Sequence, residues 1–380
     1  MRSALCERFG IEFPLFAFSH CRDVVAAVSR AGGMGVLGAV TLTPEELEEE
    51  LSWIDAHVDG KPYGLDVIVP EKMAGKGQLP SPDALRAAVP AEHQAFAAEV
   101  LARHGIDPAA AGADRDHFIQ FALNLQADGA DQLLDVALAH PIAMIANALG
   151  VPPPQLLERG KAAGIPVAAL VGAKEHALRQ VEAGVDLIIA AGGEAGGHCS
   201  DVATMVLVPE VVSAVAAVSD VPVLAAGGIV TGRQMAAAMA MGAAGAWTGS
   251  VWLTTTEAET TPIIREKLVA AGSRDTIRSR SRTGKPSRQL RSPWTEAWET
   301  AGPSPLPMPL QSLVAEPILH HVDKLSQSDH AGARELATYW VGQGVGLMNE
   351  ETSVRAVMQS FQEDFLEAYE RLAQFMGDNA

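Results

Sequence analysis

The stretch VPVLAAGGIVTGRQMAAAMAMGAAGAWTGSVWL, residues 221–253, contains one complete unit of the fold. A short apolar run, VPVLAAGGI (221–229), stops on paired glycines. A helical pattern, GRQMAAAMAMG (232–242), follows and ends in glycine, as helix C-termini commonly do. A second apolar run, AAGAWTGSVWL (243–253), then begins. Strand, helix and strand at this spacing make the βαβ unit of a parallel sheet.

Moving toward the N-terminus, the same rhythm recurs. Apolar runs EFPLFAF (12–18), GMGVLGA (33–39), PYGLDVIVP (62–70), HPIAMIANALG (140–150), IPVAALVG (165–172) and VDLIIAAGG (185–193) read as strands. Helical patterns separate them, one opening on a capping box in which Thr43 precedes Pro44 and Glu46. Eight strands, each followed by a helix, is the count of a TIM (β/α)8 barrel, whose chemistry sits at the C-terminal strand ends. A doubly wound sheet is the alternative, because strand order is not written in the pattern.

Two regions break the rhythm. Residues 71–136 are alanine-rich and helical without a strand, a helical insertion after strand three. Residues 1–270 then form the barrel. Residues 271–380 are expected to be a basic loop and a C-terminal helical extension packed on it. The final SVRAVMQSFQEDFLEAYERLAQFM spaces its apolar residues for one helix face that needs a partner surface.

Of 380 residues 48% are hydrophobic, enough for a large core, and the formal net charge is −18. That charge argues against nucleic acid or an anionic membrane as partner. Cys6, Cys21 and Cys199 form no CxxC pair, which points to a reducing, cytoplasmic setting. The start MRSALCERFGIEF has no apolar signal core, and no apolar run is long enough to span a bilayer.

The chemistry is expected where glycines clear the strand ends. Gly227 and Gly228 follow strand seven; Thr248, Gly249 and Ser250 end strand eight. Barrels frequently hold a phosphate between these loops, on backbone N–H groups and hydroxyls. No GxGxxG follows the first strand and no GxxxxGK[ST] occurs, so FMN fits better than NAD as the resident group. Strand six ends in IIAAGGEAGGHCSD (188–201). There His198 stands at a strand's C-terminal end with a side chain suited to proton transfer near neutral pH. Glu194 reads as a carboxylate that orients backbone N–H groups or an arginine, and Cys199 as pointing away from His198. No metal site is expected.

GGEAGGH (192–198), PVLAAGGI (222–229) and AWTGSVWLTT (246–255) together closely resemble the nitronate monooxygenase family, formerly called 2-nitropropane dioxygenases. AVSRAGGMGVLGA (27–39), ALGVPPP (148–154), TGKPSR (283–288) and GQGVGL (342–347) extend the resemblance over most of the chain outside 71–136. It implies an FMN-dependent TIM barrel in which Gly227, Gly228, Gly249 and Ser250 hold the FMN phosphate. Gly192, Gly196 and Gly197 would lie close to the flavin. His198 would be the active-site histidine, acting on a nitronate or taking a proton from a nitroalkane carbon.

The chain departs from that family around the ring. Ser19 and His20 stand near the position of a Pro-Met pair, Ala191 replaces a glutamine, and Asp66 replaces an asparagine. Asp66 either adds negative charge near the flavin or pairs with a cation such as Lys174, just past strand five. Seven basic residues against one acid lie between Arg274 and Arg291. They form either a solvated loop or an anion pocket for the phosphates of NAD(P)H or coenzyme A, or for a substrate carboxylate. Three functions follow: oxidation of alkyl nitronates by FMN and O2; NAD(P)H-dependent reduction of a quinone or an enoyl thioester; or ligand sensing without catalysis. Partners expected are a small-molecule substrate and O2, with NAD(P)H and a homodimer left open.

Overall fold

The computed structural model describes residues 3–68, 82–110, 115–124 and 127–376. Its centre is a closed parallel barrel of eight strands. In chain order these are β1 (Leu15–Ser19), β2 (Met34–Gly38), β3 (Tyr63–Val67), β4 (Met144–Asn147), β5 (Val167–Val171) and β6 (Leu187–Ala191). β7 (Gly197–His198) stands outside the barrel, which β8 (Val223–Ala226) and β9 (Gly245–Thr248) complete. Pairing of β1 with β9, Phe16 opposite Trp247, closes the ring and excludes the doubly wound sheet.

Alternation along each strand sorts the core. Phe16, Met34, Val36, Met144, Leu187, Ile189, Leu224 and Trp247 fill the barrel, while Leu15, Leu37, Leu65, Ile145 and Ile188 face the helices. Helix Ala4–Phe9, which the apolar rhythm does not announce, joins the interior cluster through Leu5, Cys6 and Phe9. The Phe9 ring meets Phe16 edge-on at 5.5 Å, plugging the lower end. At the upper, C-terminal end the inward positions are small at Gly38, Ala146, Ala191 and Ala226 and large at Phe18 and Leu170. These residues surround the mouth of the barrel.

The expected strands overshoot the observed ones. Strand eight ends at Thr248, and Ser250–Thr254 coils into a 3-10 turn that brings the Trp252 indole back to the Thr248 hydroxyl at 3.1 Å. Within 71–136 the described residues form helices Pro82–Ala87, Ala91–Arg103, Arg115–Asn124 and Ala127–Ala137, with no strand among them. Residues 71–81, 111–114 and 125–126 lie outside the described set.

The basic segment is not a loop. Thr276–Ser279 (β10) and Ser287–Leu290 (β11) form an antiparallel hairpin, followed by helix Pro293–Thr300. Its apolar pattern is weak because its inward residues are polar: Ser279, Ser281, Thr283, Ser287 and Gln289 are all buried.

The last helix, Val354–Met376, lies along helix Gly232–Ala240. Phe361 is buried at this contact, which stabilises the docking by about 1.5–3 kcal/mol. Asp364 also accepts from Arg233 at 2.6 Å. The packing covers only part of the helix: Leu366, Tyr369, Leu372 and Phe375 remain exposed. No described helix is long and apolar enough to cross a membrane.

Candidate active site

The glycine-rich segment after β6 is held as a strand. His198 pairs with Ser287 and Gly197 with Arg288, so β7 becomes the third strand of the sheet β10-β11-β7. The Arg288 guanidinium donates to the Gly193 carbonyl at 2.9 Å, and the Gln343 N–H to the Glu194 carbonyl at 2.9 Å. These bonds draw a glycine-rich stretch, costly to order by itself, into one conformation.

His198 stands at the edge of this sheet. Its Nε2 lies 2.8 Å from the Thr283 hydroxyl, and its ring is 6.3 Å from that of Trp340. Burial, and then the nearby Lys285 ammonium, push its pKa down to about 4. At neutral pH the imidazole is therefore uncharged. Burial pushes the Cys199 thiol up, keeping it from being a thiolate at neutral pH.

Glu194 does what its carboxylate suggests. It accepts from the Thr204 N–H at 2.7 Å and the Thr204 hydroxyl at 2.8 Å, capping helix Thr204–Ala216. Glu194→Ala is expected to cost about 1–2 kcal/mol of stability. Glu194→Gln, which keeps one carbonyl acceptor, should cost less. Urea unfolding midpoints check this, and an alanine variant as stable as the parent would contradict it.

The glycines fall into two groups. A Cβ on Gly192 or Gly227 would strike the Thr204 hydroxyl at 2.2 or 2.7 Å, and one on Gly196 the Gly342 nitrogen at 2.8 Å. One on Gly228 would meet Glu194 Cβ at 3.0 Å. These four are small because protein packs against them. Gly197 and Gly249 are different: a Cβ would meet nothing within 4 Å at Gly197, and only Phe18, at 4.0 Å, at Gly249. Backbone N–H groups of Gly228, Gly249 and Ser250 find no acceptor among the described residues. The β8 loop is fixed by a capping box of Thr231 and Gln234, with Gln234 also donating to the Gly228 carbonyl at 2.8 Å. Unused donors beside an open glycine at two adjacent strand ends suit a phosphate, so the residues present fit FMN.

Two expected contacts need correction. The Thr248 hydroxyl donates to the Phe16 carbonyl at 3.1 Å and accepts from Trp252, so it is committed inside the wall and not offered to a phosphate. Lys174 opens a helix of the outer ring and pairs with Glu210 at 2.9 Å, not with Asp66. Ser250 accepts from the Gly342 N–H at 2.8 Å and keeps its own proton to donate. At the end of β1, Ser19 accepts from the Cys21 N–H at 3.1 Å. His20 is surface-accessible yet surrounded by protein, which lowers its pKa; its Nδ1 lies 3.0 Å from the Gly38 carbonyl. Asp66 points into the mouth from the end of β3, 4% exposed, and Ala191 ends β6.

The basic residues divide between roles. Arg282, buried, makes a bidentate pair with Glu316 at 2.8 and 2.6 Å and lies 4.0 Å over the Trp340 ring. Arg278 and Arg280 are exposed and join Trp298, Glu299 and Pro303 around a cavity of about 410 Å³ on the hairpin. Of Thr283, Lys285, Arg288 and Trp340, the sequence offers only Lys285 and Arg288, as members of the basic segment read as a loop or an anion pocket. TGKPSR contains three of them, but nothing local says that this segment pairs with residue 198.

The family model described as nitronate monooxygenase matches residues 2–364. A protein of Mycobacterium tuberculosis (strain ATCC 25618 / H37Rv) that bears a monooxygenase name, with no substrate in it, is 52% identical over 376 residues, 98% of either chain. Another protein of that organism, named as a dehydrogenase of an octahydro-indene carboxyl-CoA, is 30% identical across 79% of this chain and 69% of its own. Among solved structures, nitroalkane oxidase from Streptomyces ansochromogenes superposes with a TM-score of 0.77 at 24% identity, covering 97% of this chain and all (100%) of that one. That likeness speaks for the fold.

Proposed function

The chain belongs to the nitronate monooxygenase family, and we propose that it is an FMN-dependent enzyme oxidising alkyl nitronates with O2 to a carbonyl compound and nitrite. The observation that carries this reading is His198, held after β6 by the Thr283 hydroxyl and kept uncharged at neutral pH by burial and, second, by the charge of Lys285. An imidazole with a pKa of about 4 is a poor base toward carbon. It is a good hydrogen-bonding partner for a substrate that arrives already as an anion, and Lys285 supplies the matching charge. The nitronate, not the neutral nitroalkane, is the form this site suits.

Gly228, Gly249 and Ser250 would hold the FMN phosphate by their backbone N–H groups, and Ser250 adds its hydroxyl. FMN, when bound, supplies the electron-accepting chemistry and hands electrons on to O2. The hairpin β10–β11 keeps His198 in place.

Anaerobic mixing of the flavin-loaded protein with propyl-2-nitronate is expected to bleach the flavin without any reductant. A second reading, reduction by NAD(P)H of a quinone or an enoyl thioester, draws on the Arg278–Arg280 cavity and on the CoA in one relative's name. Fast bleaching by NAD(P)H with none by nitronate would establish that reading in place of the first.

A further inference from the structure

Asp66 is the one acidic side chain among the inward-facing residues of the barrel strands, and it is 4% exposed. Its ladder neighbours on either side, Gly38 and Ala146, carry no polar side chain. The Asp66 carboxyl has no hydrogen-bond or ion-pair partner among the described residues, and Lys174, the cation expected for it, is bound to Glu210. An ionised carboxylate buried without a counter-charge is strongly unfavourable, and such groups take up a proton instead. Burial accordingly raises the Asp66 pKa well above the ordinary value.

A protonated carboxyl presents one donor and one acceptor side by side, as a carboxamide does, whereas a carboxylate presents acceptors only. We propose that Asp66 serves as a carboxylic acid, not a carboxylate, and donates a hydrogen bond to an acceptor atom of the flavin ring seated in the mouth. This rests on the reading that the barrel binds FMN. An aspartate here then does the work of an amide while tying cofactor binding to a proton.

The other titratable groups at the mouth do not account for such a dependence. His20, beyond Gly38, and His198 both have lowered pKa values and stay uncharged above neutral pH. Lys285 beside His198 is also shifted down by burial, and an Asp66 variant retains it.

The test compares wild type, Asp66→Asn and Asp66→Ala. FMN dissociation constants are read by flavin fluorescence from about pH 5 to about pH 9. Wild-type affinity is expected to hold at low pH and then weaken by about tenfold per pH unit above the Asp66 pKa. Asp66→Asn should match the low-pH wild type and lack that decline; Asp66→Ala should bind more weakly throughout. The apoprotein gives a second readout: the infrared carbonyl band of a protonated carboxyl, present in wild type at the low-pH end of that range and lost in Asp66→Asn. Identical pH profiles for wild type and Asp66→Asn, or no such band, would overturn the proposal while leaving FMN binding intact. Failure of all three proteins to bind FMN at any pH would overturn the cofactor reading itself, and this inference with it.

Discussion

Asparagine in place of His198 is expected to leave FMN bound and to lower kcat/KM for propyl-2-nitronate by about two to four orders of magnitude. Retention of the cofactor follows from the separation of tasks. The N–H groups suited to the phosphate belong to the β8 and β9 loops, while His198 hangs on β7 and is fixed by Thr283 and Ser287. Removing the imidazole takes away the group proposed to meet the anion and leaves the strand-end N–H groups as they were. The pH profile carries the same argument with a definite sign. A group lowered to about 4 is already deprotonated at every pH from 5 upward. His198 therefore contributes no inflection near 6.5, where an ordinary histidine would titrate. Flavin content from the visible spectrum and steady-state rates at several pH values check both parts. Unchanged kcat/KM in the variant would remove His198 from the reaction.

Gly232→Ala is expected to damage the fold severely for a single-methyl change, at about 2–4 kcal/mol. Gly232 begins the helix after β8, and a Cβ there would lie 1.9 Å from the Phe361 carbonyl oxygen and 2.7 Å from the Phe365 nitrogen. Both clashes are with backbone, which has no rotamer to escape into. The helices must part, uncovering Phe361, or the β8 loop must shift. Thermal unfolding should show a clear drop in Tm, with FMN affinity falling alongside because Gly228 lies in that loop. A variant as stable as the parent would mean that the two helices slide without loss.

The barrel was legible because its information is local. Apart from the unit interrupted by the 71–136 insertion, each βα unit carries its apolar run, its helix pattern and its glycine stop close together in the chain, and the capping box at Thr43 lies where the pattern puts it. The site was legible only in part. His198 and the strand-end glycines stand out by type and position, but why each glycine is small depends on what packs against it. Gly192 and Gly227 make way for Thr204, a residue no motif pointed to. Thr248 and Lys174 misled for the same reason: a hydroxyl and an ammonium at strand ends are available only if no nearer partner claims them, and Phe16, Trp252 and Glu210 do. The hairpin was hidden because its buried face is polar, so the alternation that reveals most strands is missing.

The two-residue strand β7 also has a consequence for how the molecule is made. The barrel's last strand ends at Thr248, so a growing chain can close the ring before residues 283–290 have been synthesised. His198 must then wait for a partner 85 residues downstream. Joining such distant segments requires closing a long loop. The vessel can thus be complete before the side chain proposed to meet the substrate is set, and the order of translation can separate building the cleft from arming it.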